Sequence, residues 1–256
     1  MIKFKANGIK YSCPNSWEEI TFKQWKELKK AESDLKVITI LTGLPEEIIS
    51  RLSEKSLFNI SLSLNFIDKP LKIEDYETPD FFINEEGLKI PYVNNITEKT
   101  YGQKIYLQHC LIENEGNEEK IIEESVLIYS QPYIDNKEFD LNRLIELKNS
   151  LDNLFFVNLY RFAISYSKQL EDINETELRE LKTTPTNEQN SAGLDMFNRF
   201  GVMNTVKALA NNDILNYEKV LKIEYNTVFI HLLMNKTEGV YKENYRKILE
   251  RKQRRK

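Results

Sequence analysis

One pattern occurs twice in this sequence, and it constrains the fold more than any other feature. In the first copy, alternating apolar and polar residues surround Asn7-Gly8, and a T-x-x-Q box begins 13 positions after the glycine, at Thr21. Asn-Gly favours a tight hairpin turn, and the Thr and Gln of such a box cap the first turn of a helix. We therefore predict β-hairpins over residues 2–11 and 81–93, each followed by helices.

The two copies align at a single offset of 79 residues, which suggests an internal duplication. This offset pairs Ile9 with Leu88 and Phe22 with Tyr101, so apolar positions coincide. Hairpins and capping boxes are also common in proteins, and two unrelated occurrences remain the alternative. Duplication is therefore a hypothesis about the architecture.

Caps and helix breakers predict where the helices begin and end. Gly43 ends one helix, and Ser56 caps another. A helix ends at Gln131-Pro132, because proline cannot donate a backbone hydrogen bond. Asp140 begins the next helix, and Ser150 caps the one after it.

The domain organisation follows from these elements and from one polar stretch. Residues 174–194 contain few apolar side chains, so they predict a flexible linker. The linker separates two hairpin-plus-helix units, at 1–72 and 73–173, from a C-terminal helical segment at 195–256. The predicted fold class is α+β and mainly α.

The C-terminal segment has three predicted helices. Apolar residues between 196 and 209 predict a buried helix that Gly201 interrupts. A second helix carries residues 228–233, and the last begins at about Tyr241 and runs into the basic residues at 251–256.

The sequence contains none of the common short motifs of catalysis. The chain lacks phosphate-binding glycine loops, C-x-x-C, H-E-x-x-H and G-x-S-x-G. Its two histidines include His109, which adjoins Cys110 at a spacing that turns the two side chains about 100° apart on a helix. Acidic residues at 74–80 and 113–119 lack the spacing of a calcium loop and are interpreted as solvated. We expect neither an enzyme nor a cofactor or metal.

Charge, cysteines and hydropathy indicate the compartment. The formal net charge is -4, so any contact with a polyanion has to be local. The cysteines are Cys13 and Cys110 alone, and the first residues lack the apolar stretch of a secretory signal, so we expect reduced thiols in a cytoplasm. No run of about 18 apolar residues occurs, so no membrane span is expected.

Aromatic residues are the candidate contacts with other proteins. Tyr and Trp combine an apolar ring with a polar group and are frequent interface anchors. Core packing is the alternative for each of them. The candidate interface residues are Trp17, Trp25, Tyr129, Tyr133 and Tyr241.

A basic run closes the sequence and is the candidate nucleic-acid contact. Such a run neutralises phosphates and makes binding sensitive to salt. A solvated helix end is the alternative, because cations are favourable there. The candidate residues are Arg246, Lys247, Arg251, Lys252, Arg254, Arg255 and Lys256.

Several segments together resemble a known class of proteins. Residues 14–25, 41–45, 212–221 and 225–229 are similar to segments of virion or tail-assembly proteins of tailed bacteriophages, including crAss-like phages of Bacteroidetes. The resemblance implies a structural or assembly role near the neck and tail of a particle. It carries no catalytic residues.

The resemblance also implies the partners and the place of action. Other phage structural proteins, of portal, ring, tail or tape-measure type, are expected partners, as are further copies of this chain. The protein would act in the virion or in the host cytoplasm during assembly. Its length and two halves favour a virion component over a transient tail-assembly chaperone. A packaged accessory protein that binds nucleic acid through its basic tail is the other alternative.

Overall fold

The computed structural model describes residues 1–6, 8–84 and 86–254. Over these residues the protein is α+β and mainly α, as predicted. The strands are β1 (Ile2–Ala6), β2 (Ile9–Cys13), β3 (Phe81–Ile83) and β4 (Lys89–Pro91). The helices are α1 (Phe22–Leu28), α2 (Asp34–Thr42), α3 (Glu46–Ile49), α4 (Glu54–Leu64), α5 (Tyr101–Glu113), α6 (Glu118–Asp135), α7 (Leu141–Glu146), α8 (Phe156–Leu181), α9 (Asn187–Ser191), α10 (Met203–Leu209), α11 (Tyr217–Leu221) and α12 (Tyr225–Gln253).

The first predicted hairpin is confirmed. Strands β1 and β2 pair antiparallel, with Ala6 opposite Ile9. Gly8 has a φ of 80°, which glycine adopts without steric cost and which a tight turn requires. Asn7, the other predicted turn residue, lies outside the described residues.

The second predicted hairpin is also confirmed, and its buried face contains Phe82 and Ile90. Strands β3 and β4 pair antiparallel, with Phe82 opposite Ile90. Both of these side chains are buried, whereas Ile83 is exposed. Because successive strand residues point to opposite faces, the run Phe81-Phe82-Ile83 has apolar residues on both faces, and alternation alone could not identify the inner one.

Both T-x-x-Q boxes cap helices as predicted. The Gln24 backbone N–H donates to Thr21 Oγ1 at 3.2 Å, and the Thr21 N–H donates to Gln24 Oε1 at 3.0 Å. The same two bonds between Gln103 and Thr100 are both 3.2 Å. Each box satisfies two donors that a helix start leaves unpaired, and so it determines where α1 and α5 begin.

A second feature also occurs twice: each capped helix start pairs with the start of a longer helix. Thr21 forms an antiparallel bridge with Phe155, and Thr100 forms one with Glu224. The backbone hydrogen bonds are Phe22 N to Leu154 O (2.8 Å), Phe156 N to Ile20 O (2.8 Å), Tyr101 N to Ile223 O (2.7 Å) and Tyr225 N to Lys99 O (2.8 Å). This repeated arrangement supports the proposed duplication.

The chain divides into two compact units, each built from two separate stretches. Unit 1 comprises Met1–Val93 and Glu113–Tyr166, and unit 2 comprises Asn94–Ile112 and Ser167–Lys256. The division differs from the predicted consecutive segments, because the predicted 73–173 unit contributes its hairpin to unit 1 and most of α5 to unit 2. Hydrophobic periodicity reports which face of an element is buried, not which distant element covers it.

Aromatic side chains form the centre of unit 1. The Trp25 ring stacks on Phe22 and Phe156, with centroid distances of 5.6 and 4.5 Å. Tyr129 and Tyr166 lie 4.7 Å apart and are buried. Rings at these distances contribute about 0.5–1.5 kcal/mol per pair beyond the burial of their area.

Two helix boundaries predicted in unit 1 are wrong. Ser53, not Ser56, caps α4, and its Oγ accepts from the Ser56 N–H at 3.3 Å. Helix α6 continues through Pro132 to Asp135 instead of ending at the proline. An internal proline costs roughly 3 kcal/mol, and the burial of residues 126–131 in the same helix offsets that cost.

Helix α8 overturns two further predictions. It begins at Phe156, where the bridge to α1 fixes it, and not after Ser150. It also continues to Leu181, so the predicted linker at 174–194 is wrong for its first eight residues. Only residues 182–186 of that segment have no regular structure before α9 begins.

The C-terminal predictions also need correction. Residues 194–200 form an exposed 3-10 helix, and α10 follows at Met203, so the predicted buried helix over 196–209 is wrong. Helix α10 ends at Leu209, and Asn211 and Asn212, which follow, both have positive φ. The two helices predicted around residues 228–233 and from Tyr241 are one continuous helix, α12.

Candidate interaction surface

Two of the five candidate interface residues are core residues instead. Trp25 and Tyr129 are buried in unit 1, so the predicted surface role of these two is wrong. Trp17 is half-buried, and its ring packs edge-on against Phe66 at 5.4 Å. Tyr133 is also half-buried.

The fifth candidate, Tyr241, lies on α12 and is 65% exposed. Its ring stacks on Tyr245, one turn further along, at a centroid distance of 6.1 Å. This pair places two aromatic rings side by side on the helix surface.

The first turns of α12 are anchored in unit 2. Tyr225 and Val228 are buried, and the Tyr225 ring stacks on Phe229 at 6.0 Å. Further along, the Lys236 ammonium donates to the Glu180 carbonyl at 2.6 Å. Every residue from 237 to 254 is exposed, so the second half of the helix has no packing partner among the described residues.

A second apolar face runs along α12, roughly opposite the buried one. Successive helix residues turn by about 100°, which places residue 230 about 160° from Val228. We call this face the outer stripe; its members are Ile230, Met234, Tyr241, Tyr245 and Ile248, with exposed fractions between 49% and 65%. A helix that is apolar on two opposite sides, with one side covered, has a face available for a partner.

The segment 194–203 presents a further set of exposed apolar side chains. It follows the polar residues 182–193, and its residues from 196 onward were predicted to be buried. Its exposed members are Leu194, Met196, Phe197, Phe200 and Met203. Methionine and phenylalanine exposed together in ten residues are typical of a binding surface.

Four of the seven candidate nucleic-acid residues lie on the last turns of α12, and Arg254 is its C-cap. Arg246 and Lys247 pair with acidic residues one turn away, Glu250 at 3.6 Å and Glu243 at 2.6 Å. Arg251, Lys252 and Arg254 are exposed and have no acidic partner among the described residues. The remaining two candidates, Arg255 and Lys256, lie outside that part of the chain.

A buried polar cluster lies in unit 2. The Lys104 ammonium, 3% exposed, is 3.0 Å from a Glu177 carboxylate oxygen and 3.2 Å from Gln108 Oε1. Glu177 also bonds the Tyr225 hydroxyl. Burial raises the pKa of Tyr225 and of Tyr101, and the Glu177 charge raises both further. The cluster is satisfied internally and serves the packing of unit 2.

We expect a steep loss of stability above pH 10, the ordinary tyrosine pKa. Burial raises the pKa values of Tyr101, Tyr129, Tyr166 and Tyr225, so the folded state retains protons that the unfolded state releases. The stabilising contribution is therefore complete below about pH 10 and declines as the pH rises further. Tyrosinate absorbance at 295 nm should show exposed tyrosines titrating first and the buried ones only with loss of helical circular dichroism.

In urea, all 13 tyrosines should titrate together near their ordinary pKa. If the native chain titrated in the same single step while keeping its helical signal, the four phenols would not be buried as described.

The described histidine, cysteine and acidic side chains form no metal site. Within residues 1–6, 8–84 and 86–254, no three His, Cys, Asp or Glu side chains lie close enough to hold a metal. His109 is exposed and Cys110 is buried, so they point to different sides as expected. Burial raises the pKa of the Cys13 thiol to about 11. No helix among the described residues is long and apolar enough to cross a bilayer.

A shallow cavity of about 290 Å³ lies in unit 2, between the start of α12 and α8. Amide, hydroxyl and carboxylate side chains line it together with two aromatic rings; they include Asn95, Gln169, Asp172, Tyr225 and Phe229. Gln169 accepts a hydrogen bond from the Ile96 N–H at 3.0 Å, so part of this lining holds the local backbone.

Comparisons with protein-family models, with curated protein sequences and with solved structures found no match. The surfaces of α12 and the resemblance of the short segments are therefore the observations that bear on function. The sequence pattern predicted a helix from about Tyr241 with Tyr245, Ile248 and Leu249 on one side, and it did not connect Ile230 and Met234 to that helix. If the helix is extended back from Tyr241 through Gly239 at 100° per residue, Ile230 and Met234 lie on the same side as Tyr241.

Proposed function

We propose that this protein is a structural or assembly component of a tailed-bacteriophage particle that acts through protein–protein contacts. The outer stripe of α12 is the observation that supports this most strongly. The resemblance to virion and tail-assembly proteins supports the phage setting. The proposed partners are portal, ring, tail or tape-measure proteins and other copies of this chain, in the virion or in the host cytoplasm during assembly.

The geometry of the outer stripe suits a partner with an apolar groove. From Ile230 to Ile248 the helix rises about 27 Å, at 1.5 Å per residue. Anchors one turn apart along a helix are the pattern by which amphipathic helices bind grooves. The stripe keeps a spacing close to 3.6 residues, so a straight helix presents it without supercoiling.

The expected strength of one such contact is moderate. Full burial of a large apolar side chain contributes about 1.5–3 kcal/mol, and the five anchors are already about half covered. Their gross contribution of roughly 4–8 kcal/mol is comparable to the free energy that association costs. Several copies acting together would make the contact durable, as multivalent binding does.

The proposed role is holding other macromolecules, not catalysing a reaction. A transient assembly chaperone is the alternative within this class, and it would use the same stripe. Mass spectrometry of purified particles separates the two roles, because a virion component remains in the particle at fixed stoichiometry and a chaperone does not.

The outer stripe is tested by a double substitution, Tyr241→Ser with Ile248→Ser. Removing two anchors should lower incorporation into particles, or recovery with the partner, by about 10- to 100-fold. The matched control is Val240→Ser with Lys247→Ser. These two positions are also seven residues apart, but each is rotated by about 100° from the stripe residue that follows it. Equal incorporation of the two variants, both with unchanged circular dichroism, would contradict the proposal.

A further inference from the structure

We propose that the basic residues at the carboxyl end of α12, together with Arg255 and Lys256, which follow in the sequence, bind the phosphate backbone of duplex DNA. Arg251, Lys252 and Arg254 are exposed on the helix, and the sequence continues with Arg255 and Lys256. This site is separate from the outer stripe in its chemistry, and it does not depend on the phage assignment.

Positive charge is concentrated at this end of the chain. Residues 242–256 contain eight basic and two acidic side chains, although the whole chain has a net charge of -4. Both acidic residues, Glu243 and Glu250, pair with basic residues upstream of Arg251. The uncompensated charge is therefore at residues 251–256, and screening over about 8–10 Å in physiological salt limits the opposing effect of the distant acidic surface.

The helix dipole alone does not account for this many cations. The carboxyl end of a helix carries the equivalent of about -0.5 elementary charge, which one lysine or arginine neutralises. Three basic residues lie among the last four described positions, and two more follow in the sequence. Most of this charge remains available to an external anion.

The spacing of the charges matches the density of charge on DNA. Three cations over four helical residues correspond to about one per 2 Å of helix, at a rise of 1.5 Å per residue. Duplex DNA carries about one negative charge per 1.7 Å of its axis. Carboxylates on a folded protein surface are rarely this dense, which favours DNA over an acidic protein as the partner.

The directions of the side chains suit a groove with phosphates on both sides. From residue 251, the side chains at 252 and 254 are rotated by about 100° and -60°, so Lys252 and Arg254 point about 160° apart, with Arg251 between them. A helix about 10–12 Å across fits the major groove, which is about 12 Å wide. Arg and Lys contacts to phosphates position a protein without reading sequence, so binding should be independent of sequence.

Fluorescence anisotropy with a 20-base-pair duplex of arbitrary sequence tests the proposal on the full chain. Five phosphate contacts give a slope of log K against log salt of about -4.5, a loss of several hundred-fold in affinity between 50 and 200 mM salt. The variant R251Q/K252Q/R254Q should reduce the slope to about -2 and weaken binding at every salt concentration. The control K3Q/K5Q/K10Q removes three exposed lysines from the first hairpin and should leave the slope unchanged.

Three results would overturn the proposal. The first is no measurable binding of the unmodified chain at 50 mM salt, and the second is an equal effect of the two triple variants. The third is displacement of the duplex by poly-glutamate as effectively as by unlabelled duplex at equal charge concentration, which would assign the site to an acidic polypeptide.

Discussion

Trp25→Ala should destabilise the protein by about 3–5 kcal/mol, the largest effect expected of a single substitution in unit 1. The Trp25 ring lies between Phe22 and Phe156, with centroid distances of 5.6 and 4.5 Å, and the Lys29 ammonium is 4.6 Å from it. Alanine removes both stacking contacts and leaves a cavity that two rigid rings cannot fill. Urea unfolding followed by circular dichroism measures the change.

Phe58→Ala is the matched control for this substitution. Phe58 is 63% exposed on α4, so its removal should change the free energy of unfolding by less than about 0.5 kcal/mol. If the two alanine variants were equally stable, Trp25 would not be a core residue. The prediction from the sequence that Trp25 is an interface residue would then stand.

Lys104→Met should destabilise unit 2 by about 2–3 kcal/mol. The buried ammonium is 3.0 Å from the Glu177 carboxylate, and its loss leaves that charge with the Tyr225 hydroxyl as its described partner. Removing one member of a buried pair costs about 3–5 kcal/mol. We expect less here, because the Glu177 side chain is 26% exposed and water screens part of its charge.

Two further variants separate charge from packing. Lys168→Met, at an exposed position of the same α8 helix as Glu177, should be nearly neutral. The double variant Lys104→Met with Glu177→Gln should recover more than half of the loss, because it removes the uncompensated charge. A single Lys104 variant as stable as the original chain would show that the pair contributes nothing.

Local signals in the sequence predicted several elements correctly because their causes are local. The Thr21 and Thr100 boxes cap helices through bonds to residues three positions away. Gly43 ends α2 because its φ of 71° is unfavourable for other residues. These features do not depend on distant parts of the chain.

Other boundaries depend on tertiary contacts that the sequence pattern does not contain. Ser150 resembles a cap, yet α8 begins at Phe156, whose N–H donates to Ile20 O at 2.8 Å. Pro132 stays inside α6 because that helix is buried on several sides. Polar residues 174–181 continue α8, where Glu177 pairs with Lys104, although their composition suggested a linker.

The candidate surface was predictable in part. Tyr241 and the basic run were identified from residue type and position, and Tyr241 and the described basic residues, up to Arg254, are exposed. Trp25 and Tyr129 have the same residue chemistry but are buried, because an aromatic ring suits a core as well as an interface. Gly239 interrupts the apolar pattern and concealed that α12 is continuous from Tyr225 to Gln253.

Photo-crosslinking from α12 tests most directly whether the outer stripe contacts a partner. A photoreactive phenylalanine analogue placed at Tyr241 should form an adduct with a particle protein or with a second copy of the chain during assembly. The same analogue at Val240, which is exposed but lies about 100° away, should form none. Adducts of equal yield from both positions, or none from Tyr241 in assembled particles, would contradict a function based on this face of the helix.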